Sequence, residues 1–179
     1  GKVFSFEAVP KTFEDLSKNV ESLKTKNIIL ENLAVGDKQG NFNIYTPGND
    51  SGQSSLKIQN IGSWKDCDIR KVTCSMVTLD KYIKKNDIER LDFMKCDIEG
   101  AELLALKGMT KILKKHRPKL LFEVNDKWTK SFGYTSHDLI IFLKEVGYKS
   151  FFKVDKRPIL LSDHDLKNLH QSNDWLNIF

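Results

Sequence analysis

Apolar residues recur along this chain in two alternating rhythms. Short runs such as Val3-Phe4-Ser5-Phe6, Ile28-Ile29-Leu30 and Leu120-Leu121-Phe122 have the composition of buried strands. Between them apolar positions return every three or four residues, the period of a helix with one buried face. Phe13, Leu16, Val20 and Leu23 form one such face and predict a helix over about 12–24, opened by Thr12 with Asp15 three residues on. Leu139, Ile140, Leu143 and Val146 form another, capped by Thr135 with Asp138 and closed by Gly147. Strands are expected over 3–7, 27–35, 71–77, 91–96, 119–124, 148–154, 158–161 and 175–179. An accessory strand at 41–45 follows the turn Gly36-Asp37-Lys38-Gln39-Gly40. Shorter helices are expected at 78–83, from Asp97 to Gly108, at 109–116 and at 163–169.

Strands separated by amphipathic helices indicate βαβ crossovers, hence an α/β fold with a mostly parallel sheet in a single domain over 1–179. Ligands of such sheets bind beyond the carboxyl ends of the strands. The polar residues to weigh are therefore Glu7, the 32–37 segment, Asp97 with Glu99, and Glu123 with Asn125.

Composition narrows the class. No apolar run approaches the roughly 20 residues that cross a bilayer, so no membrane span is expected. Cys67, Cys74 and Cys96 form neither a disulfide framework nor a C-x-x-C zinc pair, and a reducing, cytoplasmic setting suits them. The formal charge is +5, but acidic and basic residues are interspersed, which favours solubility without marking a nucleic-acid binder. Gly1-Lys2 runs directly into the first strand with no initiator Met and no signal segment, so a piece of a longer chain is expected.

Two carboxylate segments carry chemistry. Glu7 ends a strand before a helix-opening turn, where a carboxylate can accept both hydroxyls of an adenosine ribose; an exposed loop-starting Glu is the plain alternative. Asp97-Ile98-Glu99-Gly100-Ala101-Glu102 sits where a strand becomes a helix. The helix dipole accounts for Glu99 and Glu102 in a first turn but not for Asp97, which must be paired, hydrogen-bonded or facing a wet cleft. The polar stretch 47–60 reads as a surface loop that could close over a ligand, and Asn49-Asp50-Ser51 within it matches a glycosylation sequon. Asp163-His164-Asp165 with His170 is a conceivable metal cluster but reads better as a solvated helix start. The basic run from Lys111 to Lys119 suits a helix C-terminus, and Trp128 either lines an acceptor pocket or covers a core edge.

The segment Lys95-Cys96-Asp97-Ile98-Glu99-Gly100-Ala101-Glu102 resembles the Lys-Ile-Asp-Val-Glu-Gly-Ala-Glu signature of FkbM-type S-adenosylmethionine-dependent methyltransferases. Phe6-Glu7-Ala8-x-Pro10, Ala34-Val35-Gly36-Asp37-x-x-Gly40, Val77-Thr78-Leu79-Asp80 and Pro118-x-Leu120-Leu121-Phe122-Glu123 resemble further segments of that family, in its order. The resemblance implies a Rossmann-like class I sheet and methyl transfer from S-adenosylmethionine to oxygen of a small-molecule or saccharide acceptor. It assigns ribose to Glu7, adenine to Ala8, Leu33, Ala34 and Val35, the sulfonium or acceptor to Asp97, and secondary catalytic roles to Glu99 and Glu123. Two departures stand out: Ala8 replaces a usual proline, and the family's glycine-rich Asp-x-Gly-Ala-Asn-x-Gly motif is absent. The expected sheet thus lacks its first strand and helix, leaving the 3–7 and 91–96 strands to pair directly, to self-associate through open edges, or to aggregate. A non-catalytic fragment or pseudoenzyme acting as a binding module is the alternative, and a nicotinamide-dependent oxidoreductase a more distant one.

Overall fold

The computed structural model describes residues 1–48, 51–154, 156–169 and 176–178. β1 (Val3–Phe6), α1 (Pro10–Ser22) and β2 (Ile28–Glu31) form a parallel unit, with Val3 opposite Ile28 and Phe6 opposite Glu31. α1 starts earlier than its apolar period suggests. Pro10 opens it, because proline's fixed φ suits the first turn and its missing N–H has no helical partner there. Thr12 therefore lies inside the helix with its hydroxyl unpartnered, and Asp15 pairs with Lys11 at 3.0 Å instead of closing a capping box. Phe13, Leu16 and Val20 are only half-buried, and Leu23 is 65% exposed.

The expected strand at 27–35 divides. The Asn32 side-chain amide donates to the carbonyls of Glu7 (2.8 Å) and Ala8 (3.3 Å), and beyond it the chain leaves β2. β3 (Ala34–Val35) then joins a different sheet, parallel to β5 (Ile69–Val77), whose other edge takes β4 (Gly40–Pro47) antiparallel. The third sheet has the order β6-β7-β10-β8-β9, with β6 (Phe93–Cys96), β7 (Lys119–Val124), β8 (Phe152–Val154), β9 (Pro158–Leu160) and β10 (Leu176–Ile178). Only β6 and β7 are parallel in it. Among the described residues parallel pairing is thus confined to β1–β2, β3–β5 and β6–β7, and the expected mostly parallel sheet is a mixed arrangement in three pieces. Two of the antiparallel pairs, β4–β5 and β8–β9, join strands that return without an intervening α-helix.

β1 and β6 do not pair with each other among the described residues, so direct pairing, the first expected outcome for these strands, does not occur. Both nevertheless face one core. Phe4 and Phe6 from β1 and Met94 from β6 pack against a cluster containing Leu106, Met109, Leu113, Leu139, Ile140 and Leu143, all six almost fully buried. Each such side chain contributes about 1.5–3 kcal/mol. The helices α2 (Leu79–Lys85), α3 (Glu102–Lys107), α4 (Thr110–His116) and α6 (Ser136–Glu145) supply most of this cluster. Val3 and Phe93, where the two strands begin, remain 50% and 48% exposed.

Two long-range ties explain segments that local pattern leaves unexplained. Asp80 accepts from the backbone N–H of Lys111 and Ile112, both at 3.1 Å, and so caps α4 from another helix. Gly36 and Gly108 bring two backbones together: a Cβ on Gly108 would lie 1.9 Å from the Gly36 carbonyl oxygen. The capping box at Thr135 and Asp138 forms as expected. Asp163 pairs with Lys144, and Asp165 closes a capping box with Ser162 at the start of α7 (Asp163–Lys167). The sequon at 49–51, His170 and most of the last predicted strand's flanks lie outside the described residues or side chains. Among the described residues no group of three metal-binding side chains converges, and no helix is long and apolar enough to cross a membrane.

Candidate active site

β6 and β7 run parallel and side by side, so the residues ending them face a common space. β6 ends at buried Cys96, and Asp97 follows with its Oδ2 2.9 Å from Lys95 Nζ. The chain then turns sharply. Glu99 has φ +54° and Gly100 φ +94°, and α3 begins only at Glu102. Glu99 is therefore not a first-turn helix residue, and the dipole does not account for it. A left-handed non-glycine residue costs roughly 1 kcal/mol or more and needs support from its surroundings. Gly100 is required for a second reason: a Cβ there would lie 2.8 Å from the Trp128 carbonyl and 2.9 Å from the Phe132 ring.

Support comes from three side chains. Glu102, 3% exposed, accepts through Oε1 from the N–H of Ile98 (3.1 Å) and of Gly100 (3.2 Å). Burial raises its carboxyl above the ordinary range, against the lowering effect of those bonds. The Tyr134 hydroxyl donates to the Gly100 carbonyl at 2.7 Å and accepts from Leu103 N–H at 3.3 Å. Ser55 donates to the Glu99 carbonyl at 2.8 Å.

Glu123, on β7, completes the cluster. Burial first, then the negative charge of Asp97, pushes its carboxyl up to about 7, with Glu102 adding to the effect and Lys95 opposing it. Its Oε1 is buried with no hydrogen-bond partner. Together Asp97, Glu99, Gly100, Glu102, Glu123, Asn125 and Trp128 line a cleft of about 10 Å³, the room of a single water. Asn125 caps the short helix α5 (Asp126–Thr129) by accepting from Lys127 N–H at 2.9 Å. Trp128 is 3% exposed and meets Trp64 edge-on, ring centres 6.3 Å apart.

The three candidate catalytic carboxylates, Asp97, Glu99 and Glu123, thus share one cleft. Of the candidate cofactor residues Asp97 lines it, whereas Glu7, Ala8, Leu33, Ala34 and Val35 do not. Glu7 stands just past β1, half-buried, its Oε1 accepting from Val9 N–H at 2.7 Å, and burial raises its carboxyl above the usual value. Ala34 is buried with Val9, Ile44, Cys74 and Met76 in a small cluster against which Ala8 packs. Leu33 and Val35 pack on the main core instead. Sequence reasoning did not single out Ser55 or Tyr134, and it read Glu102 only as a dipole residue. Nothing in their spacing signals the contacts, which depend on tertiary folding.

Carboxylates at the ends of parallel strands in an α/β domain stand where such folds bind their ligands. Comparison with known proteins makes this specific. Residues 1–150 match the methyltransferase FkbM domain, and the chain belongs to that family. It is 27% identical over 111 residues to the hexuronic acid methyltransferase AglP of Haloferax volcanii, a match covering 62% of this chain and 42% of AglP. Its fold is similar to that of the methyltransferase FkbM from Methylobacillus flagellatus, with TM-score 0.57 and 15% identity over 99% of this chain and 36% of that one. The chain spans less than half the length of either relative.

Proposed function

We propose that this chain is the greater part of a Rossmann-like class I methyltransferase domain that uses S-adenosylmethionine to methylate a hydroxyl oxygen of a saccharide or similar small molecule in the cytoplasm. The observation that carries the reading is the convergence of Asp97, Glu99 and Glu123 on one cleft at the ends of β6 and β7 in a chain of the FkbM methyltransferase family. A carboxyl that titrates near working pH is suited to accept a proton from a hydroxyl as that oxygen attacks. Bound S-adenosylmethionine would supply an electrophilic methyl carbon whose bond to sulfur breaks with the electron pair remaining on sulfur. Glu123 would take the proton of the acceptor hydroxyl as its oxygen attacks that carbon. Asp97, ion-paired with Lys95, stands beside Glu123 and raises its carboxyl, which strengthens it as a base. Glu7 is assigned to the ribose end of the cofactor because Val9 N–H occupies only part of its acceptor capacity, and adenine to the side of Ala8 and the half-buried Leu33 and Val35.

The relative's name points to a hexuronic acid. The cleft here is acidic, with Lys95 already paired to Asp97, which favours a hydroxyl acceptor over a carboxylate one. Calorimetry with S-adenosylmethionine and with NAD, followed by methyl transfer assays offering a neutral hexoside and a hexuronate, tests the reading. Binding of S-adenosylmethionine and methylation of the hexoside are expected; preferential binding of NAD, or methylation confined to the carboxylate, would overturn it.

The half-covered face of α1, the outer edges of β1 and β6, which are unpaired among the described residues, and the exposed Val3 and Phe93 together support a sheet with a further strand between β1 and β6. The isolated 179-residue chain is therefore expected to self-associate on size-exclusion chromatography, less so when Phe93 is replaced by Lys. A monodisperse monomer that also binds S-adenosylmethionine would refute that view.

A further inference from the structure

The turn between β6 and α3 is held from outside itself by groups on three separate segments. Glu102 reaches back over the turn, Tyr134 comes from the loop before α6, and Ser55 comes from the segment that follows β4. Ser55 is itself fixed. Its backbone N–H and C=O both pair with Tyr45 at 2.9 Å, and Gln59 Nε2 donates to its hydroxyl oxygen at 3.2 Å, which leaves the hydroxyl proton directed at Glu99. Ser55 and Gln59 are 2% and 4% exposed. Trp64, further along the same segment, packs edge-on against Trp128 at the cleft wall. The Ile98 and Gly100 amides and the Glu99 and Gly100 carbonyls therefore all have a side-chain partner, around a residue in a left-handed conformation that glutamate rarely adopts.

We infer that Ser55, Glu102 and Tyr134 are positioning residues that lock the Glu99 turn, and that this lock sets how closely Asp97 stands to Glu123. None of the three need touch a substrate; they act through the backbone that carries Asp97 and Glu99. Satisfied buried networks of this kind fix one geometry, and loss of one member leaves buried partners unpaired. The lock is independent of the reaction, and its bearing on turnover rests on the reading of the cleft as a methyltransferase site.

Ser55→Ala and Tyr134→Phe test this because neither changes the charge around Glu123, which faces Asp97, Glu99, Glu102 and Lys95. The readout is the titration midpoint of the Glu123 carboxyl by carbon NMR in the unliganded 179-residue chain. If the turn relaxes, Asp97 moves from Glu123, and the midpoint of the double variant falls from near 7 by half a pH unit or more. Amide exchange at Ile98 and Gly100 should quicken at least tenfold, and Ser55→Thr, which keeps a hydroxyl, should restore both readouts over Ser55→Ala. An unchanged midpoint with unchanged exchange in the double variant would overturn the lock. Should Tyr134→Phe not fold, Ser55→Ala alone decides, since the same two readouts apply to it. Failure of the wild type to bind S-adenosylmethionine would count against the proposed function and leave the lock standing.

Discussion

Replacing Glu123 by Gln removes a titrating group while keeping its shape, and the structure fixes the sign of the consequence. The folded-state carboxyl titrates near 7, against an ordinary value of 4.5. Between those values the folded protein holds a proton that the unfolded chain has released, so stability declines as pH rises through this window. Full expression of that difference would be about 3 kcal/mol at 1.36 kcal/mol per pH unit. Glu123 is only partly buried, and solvent screening brings the expected change to about 1–2 kcal/mol. Urea unfolding of wild type and Glu123→Gln at pH 4.5, 6 and 8 measures it directly. The two should be close in stability at pH 4.5, and the variant should be more stable by about 1–2 kcal/mol at pH 8. Asp97→Asn should lower the Glu123 midpoint without restoring the ordinary value, because burial rather than Asp97 is the leading cause. Lys95→Met should raise it, since Lys95 is the charge that favours ionisation. A stability difference between wild type and Glu123→Gln that does not vary with pH would refute the reasoning, and with it the case for Glu123 as a base.

Three further outcomes are expected. Gly108→Ala forces a Cβ against the Gly36 carbonyl, where backbone rather than a flexible side chain must move, and should cost about 2–3 kcal/mol in urea unfolding; a neutral result would show that the contact yields easily. Asp80→Ala leaves the Lys111 and Ile112 amides without their acceptor and should cost about 1–2 kcal/mol, with Asp80→Asn recovering part; equal losses in the two variants would assign the effect elsewhere. Glu7→Ala should weaken S-adenosylmethionine binding by about 1.5–3 kcal/mol in calorimetry with little change in melting temperature, and unaltered affinity in a folded variant would remove Glu7 from the cofactor site.

What the sequence makes legible follows the range of the interactions. Local signals held where the deciding contact lies within a few residues: the Thr135–Asp138 capping box and the strand at 119–124 are both as read. Thr12 and Asp15 show the same logic failing, because proline at the first helical position competes with a capping box two residues later and wins by covalent geometry. The break after Glu31 was hidden because Ile28-Ile29-Leu30 and Leu33-Ala34-Val35 both read as strand with only Glu31-Asn32 between them, and it is the Asn32 bridge to Glu7 and Ala8 that marks the break. Asp97, Glu99 and Glu123 could be singled out together because strand-end carboxylates in an α/β chain converge by topology. Ser55 and Tyr134 could not, since each meets the turn across more than thirty residues of sequence.

This difference in range also bears on why the glycine of the Glu99-Gly100-Ala101-Glu102 segment sits where it does. The segment reads locally as a helix start, and a helix beginning at Asp97 would have satisfied the same propensities. Gly100 instead adopts φ +94° with Trp128 and Phe132 pressed against its Cα, so the helix is delayed to Glu102 and the intervening residues become a turn. That delay has two consequences for chemistry. It turns Glu102 inward, where its carboxylate replaces the helical partners that the Ile98 and Gly100 amides lack. It also leaves Glu99 and Asp97 on the cleft side of the turn, in line with Glu123 on the neighbouring strand. One glycine therefore decides between a helix N-terminus that would bury or solvate these acids singly and a turn that collects them around one small space.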